Sequence, residues 1–459
     1  MQKLNEICSC ESKANSETEF VGIRCEKSKE GGALETSIIF PLGYFKDDST
    51  LRELPEEELR ECVVNLFTVL SDRSLQEQIH QDSSVSTFAE EHGESEFPMV
   101  SYLNVIRNFL DFGYLDEKEI LYKKGANGKI NWGRTIKAVQ PVITEDTQNL
   151  VYLDFIARKV SYNEDTLITQ VHKFCVHDAL VKLGFLFGIE PSEEPLLDFD
   201  YDLFCNAIHS KLAKTFNDRD LRLLADLARI VEFLAGHKTE DGKIANEFYF
   251  GVKKFAPVWE AMVDKIFGKL PQGVAKDKFN PHCEWDLSSG ARGYENPNYA
   301  MRPDTIMWDE EGNRLYVLDA KYYKFGVTGS ASDLPSSGSI CKQIAYAEYV
   351  ERLVLQKEIP ACVGTTVNAI YNAFLLPYCF DADNSQLPPD DGFETRPCKM
   401  RFVGYCHGNW KNLDARPGED DYRPYHRIAG ILLDVRSVME NYGAFGEAQK
   451  TLAELLPIK

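Results

Sequence analysis

The stretch "RPDTIMWDEEGNRLYVLDAKYY", Arg302 to Tyr323, constrains this chain more than any other. The apolar runs on either side of "DEEGN" read as two strands, residues 303–308 and 314–323, joined by a turn in which Gly312 is expected to take positive φ. Side chains alternate along a strand, so Asp319 and Lys321 share one face while Leu318 and Ala320 point the other way, into packing. Pairing the strands brings Asp304 to Asp319. Two carboxylates side by side repel and are costly unless a cation lies between them. Oxygen ligands with open water positions suit magnesium, or manganese. A lysine two residues on can orient or deprotonate a water, or steady a phosphate. A surface hairpin whose acids merely pair with the lysine is the competing reading, and for either aspartate taken alone it is the better one.

The neighbours of the hairpin strengthen the case for a site. "FAPVWEAMVDKIFG" predicts a helix with Glu260, Val263, Asp264 and Phe267 along one side. Glu260 is then either a further acid for the site or an exposed helix charge. "ICKQIAYAEYVERLV" predicts a second helix carrying Gln343, Tyr346 and Tyr349. A glutamine and a tyrosine facing the hairpin can contact DNA or hold the lysine, whereas Tyr349 reads better as half-buried core.

At 459 residues the chain should hold two or three domains, and 44% hydrophobic residues with 12% aromatics mark it as globular. The expected class is α/β of the mixed, α+β kind. Residues 1–160 read as a mixed region with the strand "ETSIIFPLGYF" and helices over "LPEEELRECVVNLFTVLSD" and "FPMVSYLNVIRNFLDFGYL". Residues 161–245 read as helical, with Asn163 as an N-cap. His172 and His177 lie there on different faces of one helix and are assigned no role. Residues 246–459 read as a central mixed sheet flanked by helices.

Within the first region, "LYKKGANGKINWGRTIK" places Gly125, Asn127 and Gly128 in a turn between two strand-like arms. Lys123, Lys124, Lys129, Arg134 and Lys137 have no acid close by in sequence, and Trp132 stands among them. Such an element is a candidate contact for a partner or for DNA, with Lys129, Trp132 and Arg134 as its anchors. A solvated loop with Trp132 in the core is the equally weighted alternative.

The formal net charge of −21 argues against a protein that grips nucleic acid unaided through a broad basic surface. No apolar run is long enough to cross a bilayer, and the first residues lack the apolar region of a secretory signal. A cytoplasmic location and no membrane partner are expected. The twelve cysteines include no CxxC pair, and a metal role for Cys8 and Cys10 finds no further ligands, so reduced thiols are expected. There is no GxxxxGK[ST] phosphate loop, so this chain should hold no NTP site, and any NTP-driven step would belong to another chain.

Trp259-Glu260, Pro303-Asp304, Asp319-Ala320-Lys321 and Lys342-Gln343, in that order, resemble the PD-(D/E)xK nuclease superfamily. More narrowly, "FGVKKFAPVWEAMVDKIFG", "MRPDTIMW", "LYVLDAKYYKFG", "KQIAYAEYV", "GKINWGRTI" and "HRIAGILLDVRSVMENYG" resemble the LlaJI-type restriction endonucleases. These are relatives of McrC, the nuclease subunit of McrBC-type restriction systems. The resemblance covers most of the chain, best from Gly251 to Lys459, and leaves residues 1–110 uncovered. It implies a Mg2+-dependent endonuclease acting on double-stranded DNA in phage defence, with an AAA+ GTPase as partner. It assigns metal ligation to Asp304 and Asp319, the catalytic lysine to Lys321, an auxiliary metal-site acid to Glu260 and a supporting polar role to Gln343. The tyrosines after Gln343 depart from the usual spacing of related nucleases, which leaves Tyr346 and Tyr349 without an assignment.

Three other readings compete. An autonomous type II restriction endonuclease would need a DNA-reading module in residues 1–245, where no helix-turn-helix signature is evident. A non-catalytic assembly subunit has no reason to hold Asp304, Asp319 and Lys321 together. A nucleic-acid-binding adaptor without chemistry is opposed by the overall charge.

Overall fold

A computed structural model describes residues 8–12, 20–27, 34–72, 97–115, 117–125, 128–143, 149–163, 166–191, 194–237, 246–289, 292–294, 301–359, 362, 365–366, 369–380, 398–417, 419–442 and 445–456. These residues form two compact units, Phe97–Asn246 and Lys3–Glu96 with Glu247–Lys459. The mixed α/β class expected from the sequence is found. The units cut across the three sequence stretches, because the N-terminal strands group with the C-terminal part of the chain and not with residues 97–246.

In the second unit the N-terminal strands are β1 (Cys8–Ser12), β2 (Val21–Lys27) and β3 (Leu34–Phe40). The unit Phe97–Asn246 holds β4 (Glu117–Lys124), β5 (Lys129–Ile130), β6 (Val142–Ile143), β7 (Leu150–Val151) and β8 (Ile156–Asn163). Back in the second unit, the chain continues with β9 (Phe248–Val252), β10 (Glu284–Asp286), β11 (Arg292–Tyr294), β12 (Thr305–Asp309), β13 (Arg314–Ala320), β14 (Ile370–Tyr378), β15 (Met400–Cys406) and β16 (Ile428–Asp434).

The unit Phe97–Asn246 is built on helices Met99–Phe112, Leu167–Phe187, Tyr201–Leu212 and Asp218–Gly236. Tyr102, Val105, Val171, Leu224, Leu227 and Val231 are buried among them. The helix Leu167–Phe187 starts at Thr166, whose side chain accepts the Thr169 N–H, and not at Asn163. Asn163 is used instead as the last β8 residue, paired with Glu117 of β4. That ladder continues through the position where a cap was expected.

The basic stretch of this unit is not a simple two-armed turn. β4 and β5 both pair with β8, in the order β4-β8-β5, and not with each other. The second arm stops after two residues because the Asn131 side chain accepts the Arg134 N–H and starts a helix, Trp132–Ala138. Gly128 crosses β8 at φ 123°, where an added Cβ would lie 2.6 Å from the Arg158 carbonyl oxygen. Asn127 lies outside the described residues.

His172, given no role from the sequence, is a core residue whose Nδ1 accepts the Leu115 N–H at 3.0 Å. Burial pulls its pKa down to about 4. The unfolded imidazole protonates near pH 6.5, so acid favours the unfolded chain between those values. The stability His172 contributes is therefore complete above about pH 6.5 and falls by about 2–3 kcal/mol as pH drops toward 4. Urea melts of the wild-type chain and His172→Gln at pH 7.5 and 4.5 check this. The variant should lose less on acidification, and equal losses would exclude His172 as the cause.

In the second unit, β9 closes the sheet β1-β3-β2-β9 as an antiparallel neighbour of β2. Gly22 and Gly251 face each other in that pair, and a Cβ on Gly22 would lie 2.2 Å from the Phe250 carbonyl oxygen. The same chain segment leads directly into the helix Ala256–Phe267, which carries Glu260. The larger sheet has the order β12-β13-β14-β16-β15, with β13, β14 and β16 parallel and both outer strands antiparallel. β13 and β14 are buried over nearly their whole length, which explains their continuous apolar runs. One face packs Ile306, Leu315, Val317 and Ile370 against Ala347, Val350 and Leu353 of the helix Ser337–Leu355.

The hairpin is slightly shorter than its sequence predicts, Thr305–Asp309 and Arg314–Ala320. Its turn places Asn313, and not Gly312, at positive φ (52°). Asp309 Oδ1 accepts the Gly312 N–H at 3.1 Å, which ends the turn one residue later, and asparagine tolerates the left-handed region.

Candidate active site

The antiparallel register of β12 with β13 pairs Thr305 with Leu318, so the residue before β12 lies across from Asp319. Asp304 occupies that place. Its Oδ2 accepts the Ala320 N–H at 3.1 Å, and its carboxyl shares a hydrogen bond with that of Asp319. Burial, then the hydrogen bond and charge of Asp319, then Glu260, hold the Asp304 carboxyl well above the usual carboxylate range against the pull of Lys321. Two buried carboxylates in contact make the charged form of Asp304 costly.

Lys321 Nζ donates to Asp319 Oδ1 at 2.6 Å. Burial draws the Lys321 ammonium down, but Asp319, Asp304 and Glu260 outweigh it and leave its pKa raised. The Lys321 ammonium is thus paired with Asp319, with Asp304 and Glu260 acting on it through charge. Its backbone is fixed as well: the Lys321 N–H donates to the Leu375 carbonyl at 2.9 Å, which the Trp259 Nε1–H also reaches at 3.3 Å. Trp259 and Glu260 are adjacent on one helix, so the β14 carbonyl that anchors the lysine also anchors the turn bearing Glu260.

Gln343 is fully buried, and its Nε2 donates to the Val317 carbonyl at 3.0 Å. It holds the strand that carries Asp319. Asn372 Nδ2 in turn donates to the Gln343 carbonyl at 3.0 Å. Tyr346 is buried, accepts the Arg302 N–H at its hydroxyl, and has its pKa raised by burial and by the charges of Asp304 and Asp319. It belongs to the cluster's wall. Tyr349 packs against the core below the sheet with Arg352 over its ring.

Sequence reasoning missed Lys276, Asn372 and Tyr322. Lys276 Nζ donates to the Asp304 carbonyl oxygen and pairs with Asp264. The Tyr322 hydroxyl accepts the Leu42 N–H at 2.6 Å and joins the N-terminal segment to the strand end beside the lysine. None of these carries a local signal, because each is defined by a partner distant in sequence.

Among the described residues, no three His, Cys, Asp or Glu side chains converge tightly enough to form a ready three-ligand metal centre. The close pair is Asp304 with Asp319, and Glu260 acts on it through charge. No described helix is long and apolar enough to cross a membrane.

In the other unit, Lys129 is exposed and Trp132 is 52% exposed at the start of its short helix, with Phe155 and Tyr152 against its ring. The Arg134 guanidinium lies 3.8 Å from the Tyr122 ring centre. Ile136, Ile143, Leu150 and Leu153 are also exposed. The absence of nearby acids holds in sequence but not in space, since Lys124 pairs with Asp154 at 2.7 Å.

The mixed sheet thus presents two carboxylates and a lysine in contact at the end of one hairpin. The model of the LlaJI restriction endonucleases matches residues 39–387, and the chain belongs to that family. The type II restriction enzyme BsuMI component YdjA of Bacillus subtilis (strain 168) is 25% identical over 274 residues, 58% of this chain and 55% of the relative. The match thus spans about half the length of that relative. A half-complex of Thermococcus gammatolerans McrB AAA+ hexamers with bound McrC aligns over 95% of this chain and 83% of the other, at 13% identity and a TM-score of 0.31. A score that low fixes neither fold nor assembly.

Proposed function

We propose that this chain is the DNA-cleaving subunit of a restriction system, a divalent-metal nuclease of the PD-(D/E)xK kind. The observation that carries this reading is the buried Asp304–Asp319 pair with Lys321 on Asp319. Family membership supports it. The donor set fits a hard cation: both groups are oxygen donors, they are in contact, and a cation would relieve the repulsion that raises the Asp304 carboxyl. Asp304 and Asp319 would hold Mg2+ or Mn2+, with Glu260 adding charge and Gln343 holding the strand. Such an ion supplies Lewis-acid stabilisation of the phosphate and acidifies a bound water. Lys321, kept charged by its carboxylates, steadies the phosphate oxygens and orients the attacking water. The test is plasmid cleavage by the purified chain with Mg2+, Mn2+ or chelator, alone and with candidate partners. Cleavage that persists in chelator would overturn the metal reading.

A net charge of −21 makes unaided DNA capture unfavourable, so the reading includes a partner that delivers double-stranded DNA, an AAA+ GTPase. The exposed arm of Lys129, Trp132 and Arg134, with exposed Ile136 on the same short helix, is assigned to that contact. Lys129→Glu with Arg134→Glu should weaken binding to the GTPase about tenfold. Mg2+ dependence of cleavage should stay unchanged. Unaltered GTPase stimulation and salt dependence in the double variant would reduce the arm to a surface loop.

A further inference from the structure

Lys276 has no place in the sequence motifs, yet it touches the site from outside. It lies in a short 3-10 turn, Lys276–Phe279, between the Glu260 helix and β12. Its Nζ donates to the Asp304 backbone carbonyl at 2.6 Å and pairs with Asp264 Oδ2 at 2.7 Å. Asp264 is one helical turn beyond Glu260, so it belongs to the same helix edge. The end of that helix is tied to β12 by two more bonds, Lys269 N–H to the Ile306 carbonyl at 3.0 Å and Trp308 N–H to the Lys269 carbonyl at 2.7 Å. These backbone bonds fix the middle of β12. They do not reach Asp304, which precedes the strand, and its peptide is held from this side by Lys276.

We infer that Lys276 is a positioning residue of the nuclease site, an ammonium strut that sets the Asp304 carboxylate against Asp319 and couples it to the Glu260 helix. The carbonyl it grips belongs to Asp304 itself, so a shift there moves the carboxylate directly. The Asp264 pair holds the ammonium in place but does not itself touch Asp304. Removing Lys276 should therefore act more strongly than removing the Asp264 charge, and should act on metal affinity more than on folding. Losses of groups that orient metal ligands are typically about 10–100-fold in affinity or activity. A partly exposed ion pair adds little to stability.

The strut role rests on the metal-nuclease reading, and the experiment separates the two. Lys276→Met, Lys276→Arg, Asp264→Asn and Asp319→Ala are prepared as full chains. Mn2+ binding is measured by titration calorimetry and by the metal-induced rise in melting temperature, and Mg2+ dependence is measured by plasmid cleavage. Lys276→Met should bind Mn2+ about tenfold or more weakly and need correspondingly more Mg2+ for half-maximal cleavage, with a metal-free melting temperature near wild type. Lys276→Arg should recover most of the loss and Asp264→Asn should fall between. Wild-type metal affinity in Lys276→Met, with Asp319→Ala inactive, overturns the strut and leaves the nuclease reading standing. Wild-type cleavage in Asp319→Ala overturns both. Equal losses of melting temperature in Lys276→Met and Asp264→Asn, with metal affinity unchanged, would show that the bridge only braces the helix.

Discussion

Replacing Asp319 or Lys321 with alanine is expected to lower DNA cleavage by about 10²–10⁴-fold. Asp319 is in direct contact with Asp304 and accepts from the Lys321 ammonium, so its removal strips the site of a proposed metal oxygen and of the lysine's tether together. Removing Lys321 leaves the carboxylates in place but takes away the charge proposed to face the phosphate. The folding consequences differ. Asp319→Ala relieves a buried like-charge contact and leaves Lys321 facing Asp304 and Glu260, so its stability should stay close to wild type. Lys321→Ala leaves the carboxylate pair without its ammonium and should be the less stable of the two. Glu260→Ala, which acts through charge on both Asp304 and Lys321, should be milder, about tenfold. Supercoiled-plasmid nicking in Mg2+ with thermal melts on the same samples measures both properties. Cleavage at the wild-type rate in either alanine variant would move the reaction to another part of the chain.

The juxtaposition of Asp304, Asp319 and Lys321 was readable because it is local. A two-residue alternation puts Asp319 and Lys321 on one side of β13, and antiparallel pairing across a short turn leaves one register that buries both apolar faces. The same local logic failed where two residues could serve. Asn313 took the left-handed position predicted for Gly312, and Thr166 the cap predicted at Asn163, because Asp309 and the β4–β8 ladder decided between them. The supports of the site were legible only in part: Gln343 was expected as a supporting polar group, but the partner each support holds was not. The grip of Gln343 on Val317, of Trp259 on Leu375 and of Lys276 on Asp304 joins separate elements. The grouping of the N-terminal strands with the C-terminal part of the chain includes β2 pairing with β9, more than two hundred residues later in the chain. Periodicity carries no information about such pairings.

The largest loss of stability from a single change outside the site is expected at Lys182. Asp178 and Lys182 are four apart on the helix Leu167–Phe187, a spacing that in sequence looks like an ordinary surface pair. Both are buried instead, with the Lys182 side chain only 1% exposed. The Tyr102 hydroxyl donates to Asp178 Oδ2 at 2.7 Å, and the Lys182 ammonium lies 5.8 Å from the centre of the Tyr102 ring. The pair thus locks the helix Met99–Phe112 against Leu167–Phe187. Lys182→Ala leaves the Asp178 charge buried with the tyrosine hydroxyl in place of an ammonium, and should destabilise this unit by about 3–5 kcal/mol. Asp178→Ala strands the lysine and should cost a similar amount. Tyr102→Phe removes one hydrogen bond to a charged group and should cost about 1.5–3 kcal/mol. Replacing both charges with apolar residues of similar volume, Asp178→Leu with Lys182→Met, should recover most of the loss, because the desolvation of two ions disappears with them. Denaturant melts report the size of each change, and hydrogen exchange over residues 99–112 and 167–187 localises it. A single Lys182→Ala loss below about 1 kcal/mol would place the pair among solvent-screened ones. A double variant no more stable than either single would mean that the ion pair, and not its packing volume, holds the two helices together.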